Sequence, residues 1–106
     1  IEQAETLFTN EFHRAAGTIA GVALEKHLKT LCDVNEVPYP QNAAIQSVAQ
    51  SLRTAGKISD TDLKHVTYLA NIRNKCSHAQ DVSVDEIESL IDGVKKLVQN
   101  INPQPN

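Results

Sequence analysis

The sequence predicts an all-α protein, a bundle of about four helices. These are one long N-terminal helix, one short helix, a third helix carrying the chain's most polar motif, and a C-terminal helix. Two observations predict it. Apolar residues recur at three-and-four spacing through each long segment, the period of a helix with one buried face. Four Gly and four Pro in 106 residues are too few for a small all-β protein with its many turns. The aromatic fraction is 4% and Trp is absent, so the core must be aliphatic.

Residues 2–33 read as the long helix. Leu7, Phe8, Phe12, Ala15, Ala16, Ile19, Ala23, Leu24, Leu28, Leu31 and Cys32 mark its apolar stripe, and no Pro interrupts it. Gly17 and Gly21 lie one turn apart among alanines, so a second helix can approach closely there. That helix belongs either to the same chain or to a second subunit. Residues 34–42 form a loop around Pro38 and Pro40. The short helix covers about 43–54, with Ile45, Val48, Ala49 and Leu52 inward and Asn42 at its N-cap. Gly56 suits the left-handed position after it, followed by the apolar Ile58. Ser59 or Asp60 caps the third helix, about 60–77, whose apolar positions are Leu63, Val66, Leu69, Ala70, Ile72 and Cys76. A capping box, Ser83-x-x-Glu86, opens the last helix. Its buried stripe is Ile87, Leu90, Ile91, Val94, Leu97, Val98 and Ile101, and Pro103 stops it.

The chain is one domain over 1–106, with a polar tail at 102–106. It starts at Ile1 without Met, so it is expected to be a piece of a longer protein. Net charge is −3, which argues against indiscriminate binding to nucleic-acid backbone but leaves room for a local basic site. No apolar run approaches the ~18 residues of a membrane span. Cys32 and Cys76 cannot make a disulfide framework and fall inside apolar helical patterns. They read as reduced core residues, and a cytoplasmic location is expected. His27 with Cys32, or Cys76 with His78, lacks zinc-ligand spacing. His13 and His65 read as surface or boundary residues.

The informative stretch is Asn71-Ile72-Arg73-Asn74-Lys75-Cys76-Ser77-His78, at the end of the third helix. Arg73 offers a planar fork of donors that matches a phosphate. His78 is the side chain able to give or take a proton near neutral pH. Five residues apart, with the helix ending between them, both heads can converge on one anion. Asn74 is a polar neighbour able to orient either. Tyr68, earlier on the same helix, can stack on a base or simply pack with a wet hydroxyl. The plain alternative is a solvated helix end, with His78 on the C-terminal dipole.

The motif Arg73-Asn74-Lys75-Cys76-Ser77-His78 resembles that of the HEPN superfamily: Arg, four to six residues, then His, with Asn, Asp or His commonly next after the Arg. The likeness extends to Ala16–Glu25 running into Leu28–Cys32, to Ala55–Ser59, and to the Asp85-Glu86-Ile87 start. It covers roughly residues 10–101. It implies a HEPN-like bundle and a metal-independent, cofactor-free endoribonuclease of toxin or phage-defence type. The ribose 2′-hydroxyl attacks the adjacent phosphate, leaving a cyclic phosphate and a 5′-hydroxyl. In this chain His78 is then general acid or base, Arg73 stabilises charge on the phosphate, and Asn74 holds the phosphate or the imidazole. Glu25 is a candidate to orient His78, against a simple solvated carboxylate.

The resemblance also implies a homodimer through the motif face, RNA as partner, and an antitoxin or attached regulatory domain. Lys57, Lys64, Arg73 and Lys75 outnumber Asp60 and Asp62 over 57–79. Doubling that excess at a dimer seam makes a basic groove on an acidic protein. Two other readings stand beside the nuclease. One is a non-catalytic HEPN-like module for dimerisation or for RNA or nucleotide binding. The other is an unrelated helical interaction domain. The nuclease needs Arg73 and His78 side by side, exposed and facing a two-fold interface. The module permits the dimer but shows the pair buried or blocked, and the unrelated interaction domain predicts a monomer with His78 pointing into solvent away from Arg73.

Overall fold

The computed structural model describes residues 1–101. Five helices follow one another: α1 (Glu2–Thr9), α2 (His13–Val34), α3 (Ile45–Thr54), α4 (Asp60–Ser77) and α5 (Val84–Asn100). There is no strand among the described residues. The all-α bundle is as the periodicity predicts. The count is five rather than about four, because the long N-terminal helix is two helices.

The break falls at residues 10–12, without Gly or Pro. Glu11 takes the left-handed conformation at φ 67°. Its N–H donates to Phe8 O at 3.0 Å, and that of Phe12 to Leu7 O at 2.9 Å, which closes the helix in a Schellman turn. The reversal lays α1 back along α2, and Ile1 borders a hollow with Ala23, His27 and Thr30. Phe12 is 62% exposed, so its helical spacing to Leu7 and Phe8 belongs to a stripe that stops before it.

The other elements follow the chemistry of their ends. Gly56 is left-handed, and the N–H of Lys57 reaches back to Leu52 O at 2.8 Å. The start of α3 differs from the sequence reading: Ala44 stands at the N-cap, not Asn42, and no side chain caps it. Ser59 caps α4 in a reciprocal box with Asp62, and Ser83 does the same for α5 with Glu86. Helix α5 ends at Asn100. The Pro103 stop and the tail at 102–106 lie outside the described residues.

Helix α2 is central and packs against each of the other four. The largest fully buried side chains are aliphatic, among them Leu24, Leu28, Leu52, Leu69, Ile72 and Leu90. Val98 departs from the α5 stripe and is 40% exposed. Cys32 and Cys76 are buried free thiols, and burial is the main cause that pushes both above the usual thiol range. The two-glycine step on α2 is a contact within the chain. A Cβ on Gly17 would meet Cys76 Sγ at 2.5 Å, and one on Gly21 would overlap the stem of Arg73. The pairing of 17 with 76 and 21 with 73 runs α4 antiparallel to α2.

Among the described residues three non-glycine residues hold positive φ: Glu11, Glu36 and Ala79. A left-handed L-residue costs roughly 1–2 kcal/mol that glycine does not. Glu36 is exposed at the end of α2 with φ 55°. Glu36→Gly is therefore expected to raise stability by about 1 kcal/mol, read as a higher urea midpoint at unchanged m-value.

Candidate functional site at the end of helix α4

Tyr68, Asn71, Asn74, Lys75 and His78 recur along one face of α4 at three-and-four spacing and line an open pocket of about 660 Å³. Gln80, from the loop, and Glu86, from the first turn of α5, complete its wall. His78 is the C-cap of α4. Its backbone N–H donates to Asn74 O at 3.0 Å, and its imidazole is exposed.

Of the residues singled out from the sequence, the structure gathers His78, Asn74, Lys75 and Tyr68 in this pocket. Arg73 and Glu25 do not line it. Arg73 leaves α4 on the neighbouring face, where its stem lies over Gly21. The residue is half-buried, and its Nε is buried with no hydrogen-bond partner. Glu25 pairs with Lys29 one turn on, at 3.2 Å, rather than orienting His78.

Charges are matched unevenly around the site. Arg14 lies in the first turn of α2, which the antiparallel register brings to the C-terminal end of α4. Its guanidinium donates to Lys75 O at 2.7 Å, Cys76 O at 3.3 Å and Gln80 O at 2.7 Å. Two of these carbonyls belong to the last turn of α4, where helical partners run out. Arg14 thus ties down the backbone on both sides of His78. Lys75 Nζ donates to Glu86 Oε2 at 2.8 Å, while Glu86 Oε1 accepts from the Ser83 N–H. Lys75, first, and then the Ser83 N–H hold the Glu86 carboxyl below its usual range. Glu86 in turn raises Lys75. Arg53 donates to Asp60 at 2.6 Å. Arg73 is the one arginine of three with no hydrogen bond or ion pair among the described residues.

Arg14, Gln80 and the wall-forming role of Glu86 were not legible as site features. Arg14 acts over more than sixty residues of sequence, where no local signal exists. Asn71 could be found, since the 68–71–75–78 period aligns it with His78. No group of three or more His, Cys, Asp or Glu able to hold a metal occurs among the described residues. No described helix is long and apolar enough to cross a membrane.

Comparison with protein-family models, curated proteins and solved structures gives no match. The site must be read from its own chemistry.

Two outcomes follow from these contacts. Arg14→Ala is expected to cost about 1–3 kcal/mol and to speed amide exchange at Gln80, because charged hydrogen bonds to carbonyls are lost. Arg14→Lys restores only part of this, lacking the fork. The second concerns pH. The folded-state value of Glu86 is depressed, so its contribution is present above the ordinary 4.5 and is lost as pH falls through the lower folded value. In urea titrations the gap between wild type and Glu86→Gln should be full at neutral pH and close as pH falls below about 4.5.

Proposed function

We propose that this chain is a HEPN-type endoribonuclease domain that cuts RNA without a metal. One observation carries the reading. In the Arg73–His78 motif the guanidinium has no counter-ion among the described residues and the imidazole is exposed, while several other cations are matched. Lys75, Arg53 and Lys29 have carboxylates, and Arg14 is taken up by carbonyls. A half-buried cation left without an anion is a candidate for one supplied by a ligand. An RNA phosphate has the required charge and geometry.

The 2′-oxygen attacks phosphorus and the bond to the 5′-oxygen breaks. His78 takes the proton from the 2′-hydroxyl or gives one to the departing oxygen. Arg73 stabilises the charge on the non-bridging oxygens, and Asn74 holds the phosphate or the imidazole. Two protomers meet at the motif face and bring two sets of Lys57, Lys64 and Arg73 to one groove. A toxin or phage-defence setting in the cytoplasm, under the control of an antitoxin or an attached domain, fits such an activity.

The position of Arg73 favours a second reading. Its stem is seated on Gly21 and it does not line the pocket of His78. A module that binds RNA or a nucleotide without cutting needs no convergence of the two, and an exposed His78 that shares no pocket with Arg73 also fits the unrelated helical interaction domain.

The test is cleavage of end-labelled RNA in EDTA, at concentrations where dimerisation is measured. Wild type is expected to leave cyclic-phosphate ends, and His78→Ala to cut at least about 100-fold more slowly, the lower range for general acid–base catalysis. Equal cutting by both would overturn the role of His78. Binding without cutting by wild type would establish the second reading in place of the first.

A further inference from the structure

We propose that the pocket between α4 and the start of α5 holds one unstacked base of a single-stranded RNA, not a phosphate. The inference deepens the function proposed above and rests on it for the choice of RNA as ligand.

Charge is the first argument. The pocket's two full charges, Lys75 and Glu86, are already paired at 2.8 Å. An anion entering it would have to strip Lys75 from its carboxylate and then sit beside that carboxylate. No other lining residue is a lysine, an arginine or a carboxylate. The interior therefore favours a neutral guest. Hydrogen-bonding character is the second argument. Asn71 and Gln80 line the pocket, and each amide presents a donor and an acceptor side by side. That pattern complements the edge of a nucleobase, which alternates donors and acceptors over the same few ångströms. The third is a flat apolar surface. Tyr68 is 50% exposed, among the largest exposures of any bulky apolar side chain in the chain, and it borders this pocket. No partner among the described residues holds its hydroxyl. Base stacking on an aromatic tolerates any of the four bases, and the amides would select among them.

The placement fits the proposed chemistry. His78 is one of the lining residues, so a base seated there would bring its own sugar and phosphate near the imidazole. Arg73, on the adjoining face, is outside the pocket and has no anionic partner among the described residues. Base and phosphate are thus assigned to two faces of α4. Duplex RNA, with its bases stacked and paired, cannot fill the pocket.

The experiment uses strands that cannot be cut, so binding is read whether or not the chain is a nuclease. Short 2′-O-methyl RNAs, fluorescently labelled, are titrated with wild type, Tyr68→Phe and Tyr68→Ala. The exposure of Tyr68 lets both variants keep the fold, which circular dichroism checks. Stacking is worth ~1–3 kcal/mol per base, so Tyr68→Ala is expected to weaken binding by about 5-fold or more, and Tyr68→Phe by less than about twofold. Tyr39 and Tyr68 are the only tyrosines and there is no Trp. In a Tyr39→Phe background, intrinsic fluorescence therefore reports Tyr68 alone, and the strand should quench it. An abasic residue at the bound position should lose as much affinity as Tyr68→Ala. The inference is overturned if Tyr68→Ala or the abasic strand binds as wild type does, which would mean backbone contacts alone. It is also overturned if the duplex competes equally, or if a free mononucleotide binds as tightly as the strand, which would mean a nucleotide site. Tyr68-dependent binding by a chain that does not cut would keep the base pocket and remove the nuclease.

Discussion

The close approach of α4 to α2 over Gly17 and Gly21 is the constraint on which the rest of the site depends. With no side chain at either position, the two backbones come near enough for Cys76 and the stem of Arg73 to fill the space. That approach fixes the antiparallel register. The register puts the first turn of α2 at the last turn of α4, and so delivers Arg14 to the carbonyls around His78. It also decides which face of α4 is spent on α2. Cys76 and the stem of Arg73 lie against α2, while Tyr68, Asn71 and His78 are exposed. Helix dipoles assist, since the antiparallel pair sets the positive end of α2 beside the negative end of α4.

Hydrogen-bond accounting at the end of α4 explains why a histidine can stand there exposed. The helix ends with a left-handed Ala79, and Gln80 N–H returns to Lys75 O at 3.1 Å. Arg14 takes the remaining capacity of that carbonyl and its neighbours. The imidazole of His78 is thereby released from any capping duty. On the far side of the pocket one carboxylate is divided between two tasks. One oxygen of Glu86 closes the capping box of α5 and the other holds Lys75. The wall of the pocket is thus set by the same residue that starts the last helix.

Much of the fold could be read from the residues alone. The bounds of α4 and the Ser83–Glu86 box were legible because capping chemistry is local, and the aliphatic core because its period is regular. The break at Glu11 was not legible. The left-handed position there is filled by a residue that does not favour it, and the apolar spacing of Leu7, Phe8 and Phe12 runs straight through. Asn42 looked like a cap, but the chain keeps turning until Ala44. In the site, the face shared by Asn74, Lys75, Tyr68 and His78 follows from helical period. The divergence of Arg73 follows from the same period once α2 is known to lie on that side. Arg14 could not be found, because its partners are carbonyls, which every residue has.

The pocket's side chains come from a contiguous stretch of about twenty residues, but its anchor is residue 14. This separates what is written locally from what is assembled late. Helix α4 and the turn after it can form early from near neighbours. The carbonyls around His78 receive Arg14 only after a loop of some sixty residues has closed, an entropic cost met before the contact rewards it. A fragment starting beyond α2 would contain every lining residue of the pocket and yet lack the clamp that gives it a shape. The ordered pocket is a report that the whole chain has folded.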